Sequence, residues 1–298
     1  MMDTHNWLAE QFEAEQFEAE RPRLRAMAYR MLGSLAEAED AVQEGWLHLS
    51  RSDTSNVSNL GGWLTTVVAR VCLNMLHARA SRREESLEAS VPVLITSREG
   101  GIDPEEEAEL ADSVGLALLV VLDTLSPAER LAFVLHDIFC VPFDEIAPIV
   151  ERSPMATRQL ASRARRRVRG SAMVKDADLA SQRDLVDAFL AASREGSFDA
   201  LLAVLDPDIV VRADHAAVSR GAVREVRGAQ AVARGARHLL GRIPFAQPVL
   251  VDGAVGIVMA PRGWLLLRLT IRHGKIVAID VVADPAHLHQ LHLAVLPD

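Results

Sequence analysis

The segment that most restricts the architecture of this chain lies at residues 143–169. Phe143-Asp144-Glu145-Ile146-Ala147-Pro148-Ile149-Val150 reads as a short helix and Glu151-Arg152 as a turn. Ser153-Pro154 then supplies the N-cap and first position of a second helix, which runs through Arg158, Gln159, Arg163 and Arg165-Arg166-Arg167. Two helices joined so tightly form a helix-turn-helix, whose second helix fits the major groove of DNA. Pro148 lacks a backbone donor, so the first helix should be kinked or short. Residues 151–170 hold seven Arg against one Glu, a net charge of +6. Met155, Thr157, Arg158, Gln159 and Ser162 are candidates for base edges, because Arg pairs with guanine and Gln with adenine in bidentate fashion. Arg163, Arg165, Arg166, Arg167 and Arg169 are candidates for phosphate, which positions a helix without reading sequence.

At 298 residues the chain predicts two or three folded units, and 49% hydrophobic residues suffice for packed cores. No apolar run approaches the ~18 residues of a membrane span, and the acidic first twenty residues lack a secretory pattern. Cys72 and Cys140 offer neither a disulfide framework nor metal-ligand spacing. A cytoplasmic protein without cofactor, metal or membrane partner is expected. The overall charge of −9 argues against a surface that coats nucleic acid. The charge is partitioned instead: residues 84–112 hold ten Asp/Glu and one Arg, with Pro92, Gly100-Gly101 and Asp103-Pro104, and read as a linker.

Ahead of that linker the periodicity is helical. A five-residue tandem repeat at 9–20 lengthens an N-terminal helix. Ala38, Val42, Trp46 and Leu49 form one apolar stripe, with Asp40, Gln43, Glu44 and Leu47 on a neighbouring face. After a polar loop at 52–59, a helix beginning near Trp63 buries Leu64, Val68, Val71 and Met75. Its opposite side carries Thr66, Arg70, Asn74 and His77. An aromatic beside arginine suits single-stranded DNA, whose bases stack on either. Beyond the linker, Ser126-Pro127-Ala128-Glu129 is a capping box, and Leu131, Val134, Leu135 and Ile138 should follow it into a core.

The pattern changes near residue 176: helices first, then β-runs broken by Asp252-Gly253 and His273-Gly274, which describe a separate α+β domain with a curved antiparallel sheet. Asp214, His215 and Trp264 are candidates for a pocket that could hold a small ligand. His287, His289 and His292 lack the carboxylate shell of a metal site.

Several ordered motifs also resemble a known family. Ala28-Tyr29-Arg30-Met31-Leu32-Gly33-Ser34, followed by Ala38-Glu39-Asp40-Ala41-Val42-Gln43-Glu44, resembles region 2 of the sigma-70 family, extracytoplasmic-function group. Trp63-Leu64-Thr65-Thr66-Val67-Val68-Ala69-Arg70 resembles its promoter-melting helix, and Leu125-Ser126-Pro127-Ala128-Glu129-Arg130 with the helix-turn-helix resembles region 4. The downstream part resembles the SnoaL-like fold, a combination found in the SigJ-like group.

The resemblance implies two all-α sigma domains at 1–85 and 113–172, an acidic linker at 86–112 and a SnoaL-like regulatory domain at 173–298. It implies an alternative sigma factor, not an enzyme, whose partners are RNA polymerase core (β′ and β subunits) and promoter DNA. Asp40, Gln43, Glu44 and Leu47 would dock on the core. Asn56, Trp63, Thr66, Arg70, Asn74 and His77 would handle the −10 element, and Ser153, Thr157, Arg158, Gln159, Ser162, Arg163, Arg166 and Arg167 the −35 element. Two alternatives are a DNA-binding regulator independent of polymerase and a cyclase- or isomerase-type enzyme fused to a DNA-binding module.

Overall fold

The computed structural model describes residues 4–52, 54, 57–88, 115–169, 176–218, 224–236, 246–259, 265–288 and 290–296. The acidic segment from 89 to 112, Asn56, Trp264 and His289 lie outside the described residues. Two units divide the chain: residues 1–94, 100–102 and 125–165 in one, and 95–99, 103–124 and 166–298 in the other.

The first unit is helical. Helix α1 (Thr4–Leu32) takes in the repeat, and α2 (Leu35–Leu49) and α3 (Leu60–Glu88) pack on it. Gly33, at φ +71°, ends α1, and Ser34 then caps α2 by accepting the Glu37 N–H at 3.4 Å. Phe17 is buried against Trp46, with ring centroids 5.0 Å apart. The α2 stripe is buried at Leu35, Ala38, Ala41, Val42 and Leu49. Gly45 sets the approach of α2 to α3, since a Cβ there would stand 2.7 Å from Val68 Cγ2. In α3 Leu64, Val68, Ala69 and Cys72 are the innermost residues, Leu73 and Leu76 are also buried, and Val71 and Met75 are half-buried. The expected stripe drifted because α3 is packed by α1, α2 and the helix at Pro127–Phe133 together and not by one neighbour.

Helix α5 (Pro127–Phe133) starts on the predicted capping box: Ser126 Oγ accepts the Glu129 N–H, and Glu129 Oε2 accepts the Ser126 N–H, both at 3.4 Å. It continues as a π-helical turn, Val134–Ile138, closed by Phe139 N–H donating to Val134 O at 3.2 Å. The extra residue in that turn rotates Ile138 to a half-buried position, while Leu131, Val134 and Leu135 face the core. Helix α6 (Phe143–Ile146) is cut to four residues, as Pro148 requires, and Arg152 N–H donates back to Ala147 O across the turn. Helix α7 (Pro154–Arg169) follows, its residues from Arg166 onward belonging to the second unit.

The second unit contains helix α4 (Leu116–Asp123), whose sequence LALLVVLD is apolar almost all round. Such a helix needs cover on several sides. It lies on strands β3 (Ala246–Val251), β4 (Ala254–Met259) and β7 (Leu293–Ala294), and its Ala117 N–H donates to Gln247 Oε1 at 3.3 Å. Helices α8 (Asp176–Glu195), α9 (Phe198–Val204) and α10 (Ala229–Ala236) cover a seven-stranded sheet in the order β2-β1-β6-β5-β4-β3-β7. The remaining strands are β1 (Leu205–Ala213), β2 (Glu225–Arg227), β5 (Leu265–Arg272) and β6 (Lys275–Val282).

Both predicted turn pairs make two-residue hairpins, with Asp252, Gly253, His273 and Gly274 all at positive φ. One departure from the expected antiparallel sheet occurs: β1 runs parallel to β6. The crossover is supplied by the long excursion between them. A short helix, α11 (Pro285–Leu288), precedes β7.

Candidate nucleic-acid interface

Helix α7 divides cleanly into two faces. Thr157, Ala161, Ala164 and Val168 are buried, and three of these are small side chains that allow close packing on that face. Met155, Arg158, Gln159, Ser162, Arg163, Arg166, Arg167 and Arg169 are exposed. Ser153 caps the helix by accepting the Ala156 N–H at 3.2 Å. Thr157 therefore leaves the base-reading set: its side chain points inward and its hydroxyl donates to Ser153 O at 3.0 Å.

The flanks of this outer face are held by acids. Arg163 Nε bonds Glu129 Oε1 at 3.0 Å, and Arg165 bonds Asp137 Oδ1 at 2.7 Å. Glu129 is buried and also serves the capping box, so one carboxylate links the start of α5 to the middle of α7. Arg158 lies over Phe143 of α6, 5.4 Å from the ring centroid. None of these partners is near in sequence, and residue spacing carried no sign of them.

Helix α3 presents a second stripe. Arg70, Asn74 and His77 are exposed; Trp63 and Thr66 are half-buried, and the Thr66 hydroxyl donates to Gly62 O at 3.1 Å. The beginning of α3 faces a cleft of about 280 Å³ lined by Asn59, Gly61, Thr66, Phe139, Pro142 and Glu145. Beside it, the guanidinium groups of Arg23 and Arg30 stand 6.0 and 5.5 Å from the Phe139 ring centroid. Burial pulls the Arg30 pKa below its ordinary value. Arg130, wholly buried, donates from Nε to Arg30 O at 3.2 Å. On α2, Asp40, Gln43 and Glu44 are exposed and Leu47 is half-buried; His48 Nε2 lies 3.6 Å from Glu44 Oε1.

In the second unit Asp214 is a clamp. Its Oδ1 accepts from Ala216 and Ala217 N–H at 3.0 and 2.8 Å, and its Oδ2 from Ala283 and Asp284 N–H at 2.9 Å each. Partial burial opposes ionisation, but the four donors outweigh it and hold the carboxyl below its usual range. Exposed His215 lies 3.4 Å from Asp284. Both oxygens of the expected pocket acid thus serve backbone, joining the ends of β1 and β6. Among the described residues no cluster of three or more His, Cys, Asp or Glu could hold a metal, and no helix is long and apolar enough to cross a membrane.

A capped helix-turn-helix with an arginine-rich outer face, preceded by a helical module, defines a helix-turn-helix class of DNA-binding protein. Residues 16–83 match the model of sigma-70 region 2, and residues 115–168 that of sigma-70 region 4. The chain is 36% identical over 283 residues to the ECF RNA polymerase sigma factor SigJ of Mycobacterium tuberculosis, covering 89% of each. It is 35% identical over 274 residues to a probable ECF sigma factor, SigI, of the same organism, covering 91% of this chain and 93% of the relative. The crystal structure of M. tuberculosis SigJ aligns with 91% of this chain and 96% of its own, at 32% identity and a TM-score of 0.47. The chain belongs to the extracytoplasmic-function sigma factors.

Proposed function

We propose that this alternative sigma factor binds RNA polymerase core through the outer face of α2, opens the −10 element with α3, and reads the −35 element with α7. Asp40, Gln43, Glu44 and Leu47 meet the β′ subunit in this reading, and the region-4 helices meet β, in the cytoplasm. Trp63, Thr66, Arg70, Asn74 and His77 handle the −10 strand, together with Asn56, which precedes them in the sequence. Extracting a base costs a few kcal/mol, which stacking and cationic contacts offset. On α7, Ser153, Arg158, Gln159, Ser162, Arg166 and Arg167 meet the −35 duplex, while Arg163 is held beside it by Glu129.

The observation that carries the reading is the two-faced α7: small buried residues on one side, and a capped, exposed, arginine-rich side on the other. A regulatory role for the sheet domain draws support from two bonds within the second unit, Ala117 N–H to Gln247 Oε1 at 3.3 Å and Val295 N–H to Val168 O at 2.8 Å. Both engage residues of the region-4 match.

Run-off transcription with purified core polymerase tests the proposal. The full chain should produce a transcript that core alone does not. Asp40→Ala with Glu44→Ala should abolish association with core. Arg70→Ala with Asn74→Ala should retain core and duplex binding but lose permanganate reactivity at the start site. A full chain that yields no added transcript at any promoter selected by its own binding would overturn the reading.

A further inference from the structure

Met155 is 71% exposed, the one exposed large hydrophobic side chain among the described residues. A single apolar side chain on a surface is ordinary; its setting is not. It occupies the second position of α7, directly after Pro154 and the Ser153 cap, at the end of the helix that enters the groove in helix-turn-helix docking. Met155, Ser162 and Arg166 fall within about 40° of one another on a 3.6-residue helix, so Met155 lies on the midline of the exposed face. Arg158 and Gln159 flank it one turn on, and the ion pairs to Glu129 and Asp137 hold Arg163 and Arg165 at the two margins.

Among the groups by which the major groove distinguishes the four base pairs, one alone is alkyl: the C5-methyl group of thymine. An unbranched thioether can follow that methyl without a fixed rotamer. We propose that Met155 is a specificity-determining residue that selects thymine at the −35 element by apolar contact with its C5-methyl group. This rests on α7 being the −35 reader and adds a contact whose chemistry differs from the arginine and glutamine bonds beside it.

The test uses holoenzyme reconstituted from core polymerase and the full chain. A duplex library randomised over the −35 region is selected for binding, and each thymine in the enriched element is then replaced by deoxyuridine, which removes only the methyl. At one or two adjacent positions uracil should weaken wild-type binding about fourfold, the effect of one methyl-sized group returned to water. Met155→Ala should bind the thymine duplex as weakly as wild type binds uracil, with no further uracil penalty. Met155→Leu should keep the penalty, which a merely structural role for residue 155 would not predict. Indifference of wild type to every uracil, or an unchanged uracil penalty in Met155→Ala, would overturn the inference while leaving the −35 reading intact. Selection that enriches no −35 sequence at all would overturn both.

Discussion

Replacing Asp214 by Asn keeps the side chain's shape and tests whether this residue is an anchor or a reactive acid. In wild type each carboxylate oxygen accepts two backbone N–H groups. The amide keeps one oxygen, so two bonds are lost and an NH2 group faces two donors. At about 1–1.5 kcal/mol for each of the two bonds lost, the variant should lose roughly 2–3 kcal/mol locally. Amide hydrogen exchange of peptides spanning 209–217 and 278–284 reads this directly in the full chain. Exchange there should accelerate about 30- to 150-fold at pH 7, the equivalent of that free energy.

The pH dependence has a definite sign. The folded carboxyl is the stronger acid, so its contribution is complete above the unfolded Asp value near ~4 and fades as pH falls through the lower folded value. The gap between variant and wild type should therefore close only in acid. Wild-type exchange rates in Asp214→Asn at pH 7 would refute the clamp.

Gly45→Ala should destabilise the first unit by about 1–3 kcal/mol through overpacking on Val68; Val68→Ala in the same chain should recover part of the loss in a urea melt. Arg166→Ala should weaken duplex binding evenly across sequences and reduce the slope of log affinity against log salt by about 1. Under native conditions a thiol reagent should label exposed Cys140 and spare Cys72, whose burial pushes its pKa up to about 12. Mass spectrometry of the labelled peptides decides it.

Local grammar was legible wherever neighbours in sequence are neighbours in space. The Ser126 capping box, the Ser153 cap, the shortening at Pro148 and the hairpin turns at 252–253 and 273–274 are each decided within a few residues. The orientation of Thr157 was not, because a polar residue beside an arginine-rich face looks outward until the small buried row of Ala161, Ala164 and Val168 is seen. Nor was the pairing of Arg163 with Glu129, thirty-four positions apart, which exists only once α5 and α7 are folded together. The acid at 214 reads equally well as a pocket group or a loop clamp. Only the positions of four amide protons separate the two.

Helix α4 lies within the region-4 match and finds its apolar bed on β3, β4 and β7. The ancestry of the parts and the unit in which they fold thus follow different borders. Cutting the gene at the end of the helix-turn-helix would not free a slimmer regulator. It would strip the shelter from eight nearly all-greasy residues and should yield a sticky fragment, so the part played by the sheet is better probed by point changes than by scissors.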